Sequence, residues 1–188
     1  MLQIEKKELR ERFVRMRNEI PAQLRDEYSK EIFDSVKSLV RYKLCGTVLV
    51  FVSAGSEPET RGFINDALSD GKKIAVPFIS DGERCFKFID SLSELVPGEF
   101  GIPAAPEGNR TVSDFRNCLC ITPCLSVDDS GVRLGYGGGF YDRFLAEHRE
   151  VYCAAVCFDE LISRELPRDE HDMTVDMYVT QTTYKEVS

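Results

Sequence analysis

Hydrophobic positions along this 188-residue chain change period several times, helical near the N-terminus and strand-like further on. Over residues 2–20, Leu2, Leu9, Phe13, Met16 and Ile20 form a narrow apolar stripe, which predicts an amphipathic helix. Ile20-Pro21 interrupts it, and Leu24, Tyr28, Ile32, Val36 and Leu39 predict a second helix over 22–40. Residues 47–53 are a continuous, largely β-branched run, as expected of a strand covered on both sides. The loop at 54–60 opens a helix that reaches Ser69 before Asp70-Gly71. Further strands are predicted at 74–78, 85–89, 118–122, 151–158 and 175–180, with a helix at 140–147. Residues 95–109 carry three prolines and three glycines and predict a long ordered loop.

Strands alternating with helices predict a three-layer, Rossmann-like α/β fold with a largely parallel central sheet. The length fits a single domain over residues 1–188. In such sheets ligands bind outside the carboxyl ends of the strands, where Glu57, Asp159 and the glycine-rich stretch near 137 can converge.

That stretch, Gly131 to Arg143, has four glycines among positions 135–139 and runs directly into the 140–147 helix. Bare backbone feeding a helix N-terminus makes an anion site from N–H groups and the helix dipole. Arg133 can add a bidentate contact to phosphate, and Asp142 can hold a magnesium ion bridging phosphate oxygens. The plainer reading is a turn with a dipole-complementing acid. The stretch matches neither the dinucleotide fingerprint, which needs glycine where Phe140 stands, nor a P-loop. At 100° per residue, Lys6, Arg10 and Arg17 fall along one edge of the first helix's stripe, placed to reach an anion or simply snorkelling.

Charge and cysteine usage narrow the classes. A net charge of −8 argues against general nucleic-acid binding, so an anionic ligand must be caught by a local cluster. No apolar run approaches membrane-spanning length, and residues 1–7 carry no apolar signal core. The seven cysteines include no C-x-x-C and read as buried thiols in a reducing cytoplasm. Glu57, after the first strand, can accept from a ligand's N–H groups, with Glu59 as its rival. Asp172 can complete a magnesium site with Asp142, and Asp128, Asp129, Asp159 and Asp176 compete for that role. His171 pairs with no nucleophile and reads as a surface residue.

The stretch Asp129-x-Gly131-x-Arg133-Leu134-Gly135-Tyr136-Gly137-Gly138-Gly139-Phe140-Tyr141-Asp142-Arg143 resembles the signature of the 5-formyltetrahydrofolate cyclo-ligase family. Lys6-x-x-Leu9-Arg10, Glu57-Pro58-Glu59-Thr60 and Asp172-Met173-Thr174-Val175-Asp176 resemble its nucleotide-binding helix, folate-contacting turn and C-terminal motif, in the family's order. The resemblance implies conversion of 5-formyltetrahydrofolate to 5,10-methenyltetrahydrofolate with ATP and magnesium, releasing ADP and phosphate. It further implies ATP contacts from Lys6, Lys7, Glu8, Leu9 and Arg10, and from Arg133, Leu134, Gly135, Tyr136, Gly137, Gly138, Gly139, Phe140 and Tyr141. Val52, Glu57 and the 136–140 segment (Tyr136, Gly137, Gly138, Gly139, Phe140) would contact the folate, and Asp142 and Asp172 would serve magnesium. Arg133, Glu57 and Lys6 would carry the catalysis. Phe140 stands where tyrosine is common, and Pro58 replaces an aliphatic residue. A monomer acting on small molecules, without nucleic acid or membrane, is the expectation. Two alternatives are a non-catalytic folate- or nucleotide-binding module and a sugar-phosphate isomerase on a related scaffold. The intact acidic and basic set weighs against the first, the basic N-terminal helix against the second.

Overall fold

A computed structural model describes residues 2–80 and 83–187, leaving aside the side chains of Glu83 and Phe100. In chain order the helices are α1 (Leu2–Glu19), α2 (Ala22–Ser38), α3 (Val40–Leu44), α4 (Arg61–Ser69) and α5 (Phe140–Glu147). The strands are β1 (Thr47–Val50), β2 (Lys73–Ser80), β3 (Glu83–Ile89), β4 (Val96–Pro97), β5 (Pro103–Ala104) and β6 (Cys118–Pro123). They continue with β7 (Ser126–Asp128), β8 (Arg133–Leu134), β9 (Tyr152–Val156), β10 (Ile162–Ser163), β11 (Met177–Val179) and β12 (Tyr184–Glu186).

Seven strands form the central sheet in the order β12-β11-β9-β6-β1-β2-β3. Its five inner strands are parallel, and an antiparallel strand closes each edge. This is the expected mixed α/β fold with a mostly parallel sheet flanked by helices. Val48, Leu49 and Val50 are fully buried, as a strand covered on both faces requires. On the helical side Phe33 of α2 stacks on Phe63 of α4 at 4.8 Å. Phe144 anchors α5 by edge contacts to Phe86 at 4.8 Å and Phe115 at 5.2 Å, geometry that aromatic quadrupoles favour.

From β1 the chain crosses through α4 to β2 on one side, whereas β6 lies on the other side of β1 and continues through α5 to β9. The two crossovers diverge at β1 and β6, which opens a crevice at the carboxyl ends of those strands.

Several boundaries differ from the sequence reading. The first strand stops at Val50 because the backbone at Ser53 turns to pair with Thr60: Ser53 N donates to Thr60 Oγ1 and Thr60 N to Ser53 Oγ. The 95–109 loop contains the small β4–β5 hairpin. The second helix ends at Ser38, and α3 follows as a separate turn. A three-stranded sheet, β10-β7-β8, and the edge strand β12 were not foreseen. Lys6 and Arg17, expected along one edge of the α1 stripe, lie inside the docked face with Phe13 and are 4% and 5% exposed.

Gly131 sits where the small sheet meets the C-terminal segment. Its φ is +76°, a Cβ there would lie 2.7 Å from the Val175 carbonyl oxygen, and its own oxygen accepts from Val175 N at 2.9 Å. Gly131→Ala is expected to cost about 1–3 kcal/mol, seen as a Tm lowered by several degrees; an unchanged Tm would show that this junction yields freely.

Candidate active site

A cavity of about 790 Å³ opens at the carboxyl ends of β1 and β6. Phe51, Val52 and Glu57 follow β1 into it, Pro123 closes β6, and the glycine-rich loop with the start of α5 forms one long wall. Gln3, Lys6 and Arg10 reach in from α1, opposite Asp169, Asp172 and Met173 from the C-terminal segment.

The loop is bound from its carbonyl side. Gly135 O accepts from Arg10 Nε at 2.9 Å, and Gly138 O accepts from Arg84 Nη1 at 2.9 Å and Arg143 Nη2 at 2.5 Å. Gly137 and Gly139 have φ of +94° and +63°, a conformation that glycine adopts without strain. Among the described residues, no backbone N–H of residues 137–139 donates within the protein. Gly139 caps α5, so these donors and the positive end of the helix dipole share one place.

Two cation–carboxylate couples flank the loop. Arg133, buried at the start of β8, donates through Nη2 to Asp142 Oδ1 at 2.9 Å, which also accepts from Met173 N at 3.1 Å. The Arg133 Nε and the Tyr141 hydroxyl are buried without a hydrogen-bond partner. Lys6 bridges Asp169, at 2.8 Å, and Asp172, and Asp169 N donates to Asp172 Oδ2 at 2.8 Å. Burial pulls the Lys6 ammonium down, yet the hydrogen bonds it donates to Asp169 and Asp172 leave it above its ordinary value. The bond from Lys6 holds the Asp169 carboxyl below the usual range.

At the other end of the cavity, Glu57 Oε2 accepts from Ala54 N at 2.8 Å. Burial pushes the Glu57 carboxyl up, and the Tyr136 hydroxyl and Arg17 charge oppose that push without cancelling it. Glu59 instead faces Arg61 and Ser53, and of the two acids it is Glu57 that lines the cavity. The other acids are occupied elsewhere. Asp128 caps its own turn and accepts from Leu166 N, Asp129 pairs with Lys185, Asp159 bonds Thr182, and Asp176 accepts from Cys153 N. His171 is an exposed residue at the cavity rim.

The structure brings Lys6, Arg10, Val52, Glu57, Arg133, the 134–139 loop, Phe140, Tyr141, Asp142 and Asp172 to one cavity. It places Lys7 and Glu8 on the exposed side of α1, away from the lining, and packs Leu9 against the core. Asp169, Arg84, Arg143 and Arg149 also line the cavity and were not singled out from sequence. The Asp-x-x-Asp spacing of 169 and 172 was the available signal for the first of them. Among the described residues no cluster of three or more metal-ligating side chains occurs. A hard ion here would need ligand oxygens beside Asp142 and Asp172, which phosphate and water supply.

The model of the 5-formyltetrahydrofolate cyclo-ligase family matches residues 3–181. A 5-formyltetrahydrofolate cyclo-ligase of Escherichia coli K12 is 33% identical over 140 residues, covering 71% of this chain and 77% of the relative. A probable 5-formyltetrahydrofolate cyclo-ligase of Schizosaccharomyces pombe is 27% identical over 173 residues, covering 82% and 84%. The NMR structure of a 5,10-methenyltetrahydrofolate synthetase from Aquifex aeolicus superposes with a TM-score of 0.86 at 26% identity, covering 97% of this chain and 92% of that one.

The Lys6 couple makes a pH prediction. Asp169 has a folded pKa below its ordinary 3.8, so its contribution is present above that value and is lost as pH falls through the depressed pKa. Lys6→Met is expected to speed amide exchange in the first two turns of α1 at neutral pH while leaving β1 and β6 unchanged. The wild type is expected to lose the same protection on acidification, and protection equal in both proteins at every pH would remove the couple's role.

Proposed function

The chain belongs to the 5-formyltetrahydrofolate cyclo-ligase family, and we propose that the cavity binds ATP along its glycine-rich wall and 5-formyltetrahydrofolate against Glu57. The observation that carries this reading is the buried, unpartnered Arg133 Nε beside free loop N–H groups at a helix N-terminus. Buried polar groups are rarely left without a partner, and this set of donors suits the terminal phosphates of a nucleotide.

In the reaction we propose, the N5-formyl oxygen attacks the γ-phosphorus and the bond to the bridging oxygen breaks, releasing ADP. The resulting iminium phosphate is attacked at carbon by N10, which loses its proton, and the carbon–oxygen bond breaks to release phosphate. Such transfer depends on positioning and charge neutralisation more than on a protein nucleophile. Arg133, Lys6, Arg10 and the loop N–H groups offset charge on the phosphoryl group. Glu57 orients the pterin by accepting its N–H groups, and Val52 and the 136–140 wall support the ring. Asp142 and Asp172 fit magnesium, which would spread phosphate charge; both carboxylates already face the cavity, held by Arg133 and Lys6. As ligands arrive, these cations are free to turn from carboxylate to phosphate without leaving either charge unpaired.

The lining comes from one chain, so a monomer suffices. No described helix is long and apolar enough to cross a membrane. The buried Cys45, Cys118, Cys120, Cys124, Cys153 and Cys157 form no disulfide, which supports a reducing, cytoplasmic setting.

Ultraviolet absorbance tests the activity: the red-shifted methenyl band is expected to grow only with 5-formyltetrahydrofolate, ATP and magnesium together. Growth without ATP, or none with all three, would overturn the reading. Arg133→Ala is expected to lower turnover by roughly two orders of magnitude or more. Since Glu57 must be ionised to accept, and its pKa lies above 4.5, the KM for the folate is expected to rise as pH falls toward that pKa. Glu57→Gln is expected to flatten the dependence.

A further inference from the structure

We propose that Arg17, which does not line the cavity, is a positioning residue that fixes Tyr136 and Glu57 in the geometry that receives the folate. The inference rests on the folate-site reading above. Arg17 lies on the docked face of α1 and is 5% exposed. Among the described residues it makes no ion pair within 4.0 Å. Its Nη1 donates to the Tyr136 hydroxyl at 2.5 Å and its Nε to Ser56 Oγ at 3.0 Å. Ser56 in turn donates to Asn18 Oδ1 at 2.6 Å.

A buried guanidinium without a carboxylate partner is costly, yet here it joins two sides of the site. Ser56 immediately precedes Glu57 in the turn after β1, and Tyr136 belongs to the glycine-rich loop. The Tyr136 ring is 47% exposed and lines the cavity, while its hydroxyl end is tethered inward. The guanidinium carbon lies 5.6 Å from the ring centroid, close enough for a cation–π contact. One side chain thus sets the tilt of a cavity wall and the place of the adjacent carboxylate. Lysine cannot reproduce this, because it lacks the planar fork that serves two acceptors at once.

The consequence falls on one substrate. The nucleotide end of the cavity, with Lys6 and Arg133, does not depend on Arg17, whereas the Glu57 end does. Steady-state kinetics on the full-length chain with Arg17→Met and Arg17→Lys separate the two. Arg17→Met is expected to raise the KM for 5-formyltetrahydrofolate about tenfold, the equivalent of one charge-assisted hydrogen bond. The KM for ATP is expected to stay within about twofold, and Arg17→Lys to recover only part of the loss. In the Tyr136→Phe background Arg17→Met is expected to add less than it does in the wild type, because one of its two contacts is already gone. Equal movement of both KM values, no change in the folate KM, full rescue by lysine, or additive effects with Tyr136→Phe would each overturn the proposal. Glu57→Gln separates this failure from that of the underlying reading. An unchanged folate KM in Glu57→Gln would remove the folate site itself, whereas a raised one beside an inert Arg17→Met would remove only the positioning role. Thermal unfolding of each variant checks that the kinetics are those of folded protein, and Ser56→Ala, which cuts the tie from Arg17 to the Glu57 turn, is expected to raise the folate KM by less than Arg17→Met does while the KM for ATP stays within about twofold; an unmoved folate KM in Ser56→Ala would overturn the hold of Arg17 on Glu57.

Discussion

The Arg133 guanidinium, 2.9 Å from the Asp142 carboxylate, joins the small β7–β8–β10 sheet to the first turn of α5. A charge buried this deeply is tolerated only in the company of an opposite one. That constraint sets where the glycine-rich loop begins and ends, because β8 supplies the arginine and α5 the acid. The Lys6 couple does the same on the opposite side, tying the start of α1 to residues 169–172. Between the two couples the N–H groups of residues 137–139 find no acceptor among the described residues, and the loop's carbonyls are held by Arg10, Arg84 and Arg143. Three arginines are thereby gathered round one loop in a protein whose net charge is −8.

The sheet topology decides what this charge can meet. Because the crossovers from β1 and β6 leave in different directions, the strand ends open into a space that neither α4 nor α5 fills. The turn carrying Glu57 reaches one end of that space and the α5 N-terminus the other. The cavity thus has a carboxylate at one end and unpartnered N–H groups with a helix N-terminus at the other.

Architecture was legible in the sequence because strands buried on both faces read as unbroken apolar runs, as in 47–53 and 118–122. The site was legible where chemistry is dense in sequence, from Arg133 to Asp142, and at Glu57 and Asp172. Elements of two or three residues, such as β7, β8, β10 and β12, carry too few positions to display a period. Lys6 and Arg17 were placed at the edge of the α1 stripe because apolar residues alone were used to define it. In the folded chain the stripe is mixed, since the surface it docks on offers Asp169, Asp172, Ser56 and Tyr136 as partners. Asp169 and the rim arginines escaped notice because each acquires its role only from residues far away in the chain.

The bridges from Lys6 to Asp169 and Asp172 join positions separated by 163 and 166 residues. During synthesis α1 is therefore made long before residues 169–172, and its buried lysine has neither carboxylate until they follow. Until then α1 can dock through Arg17 on Ser56 and Tyr136, and the cavity lacks one side. A nascent chain arrested short of residue 169 thus lacks the acidic side of the cavity, so that side closes in one step when residues 169–172 arrive rather than growing with length.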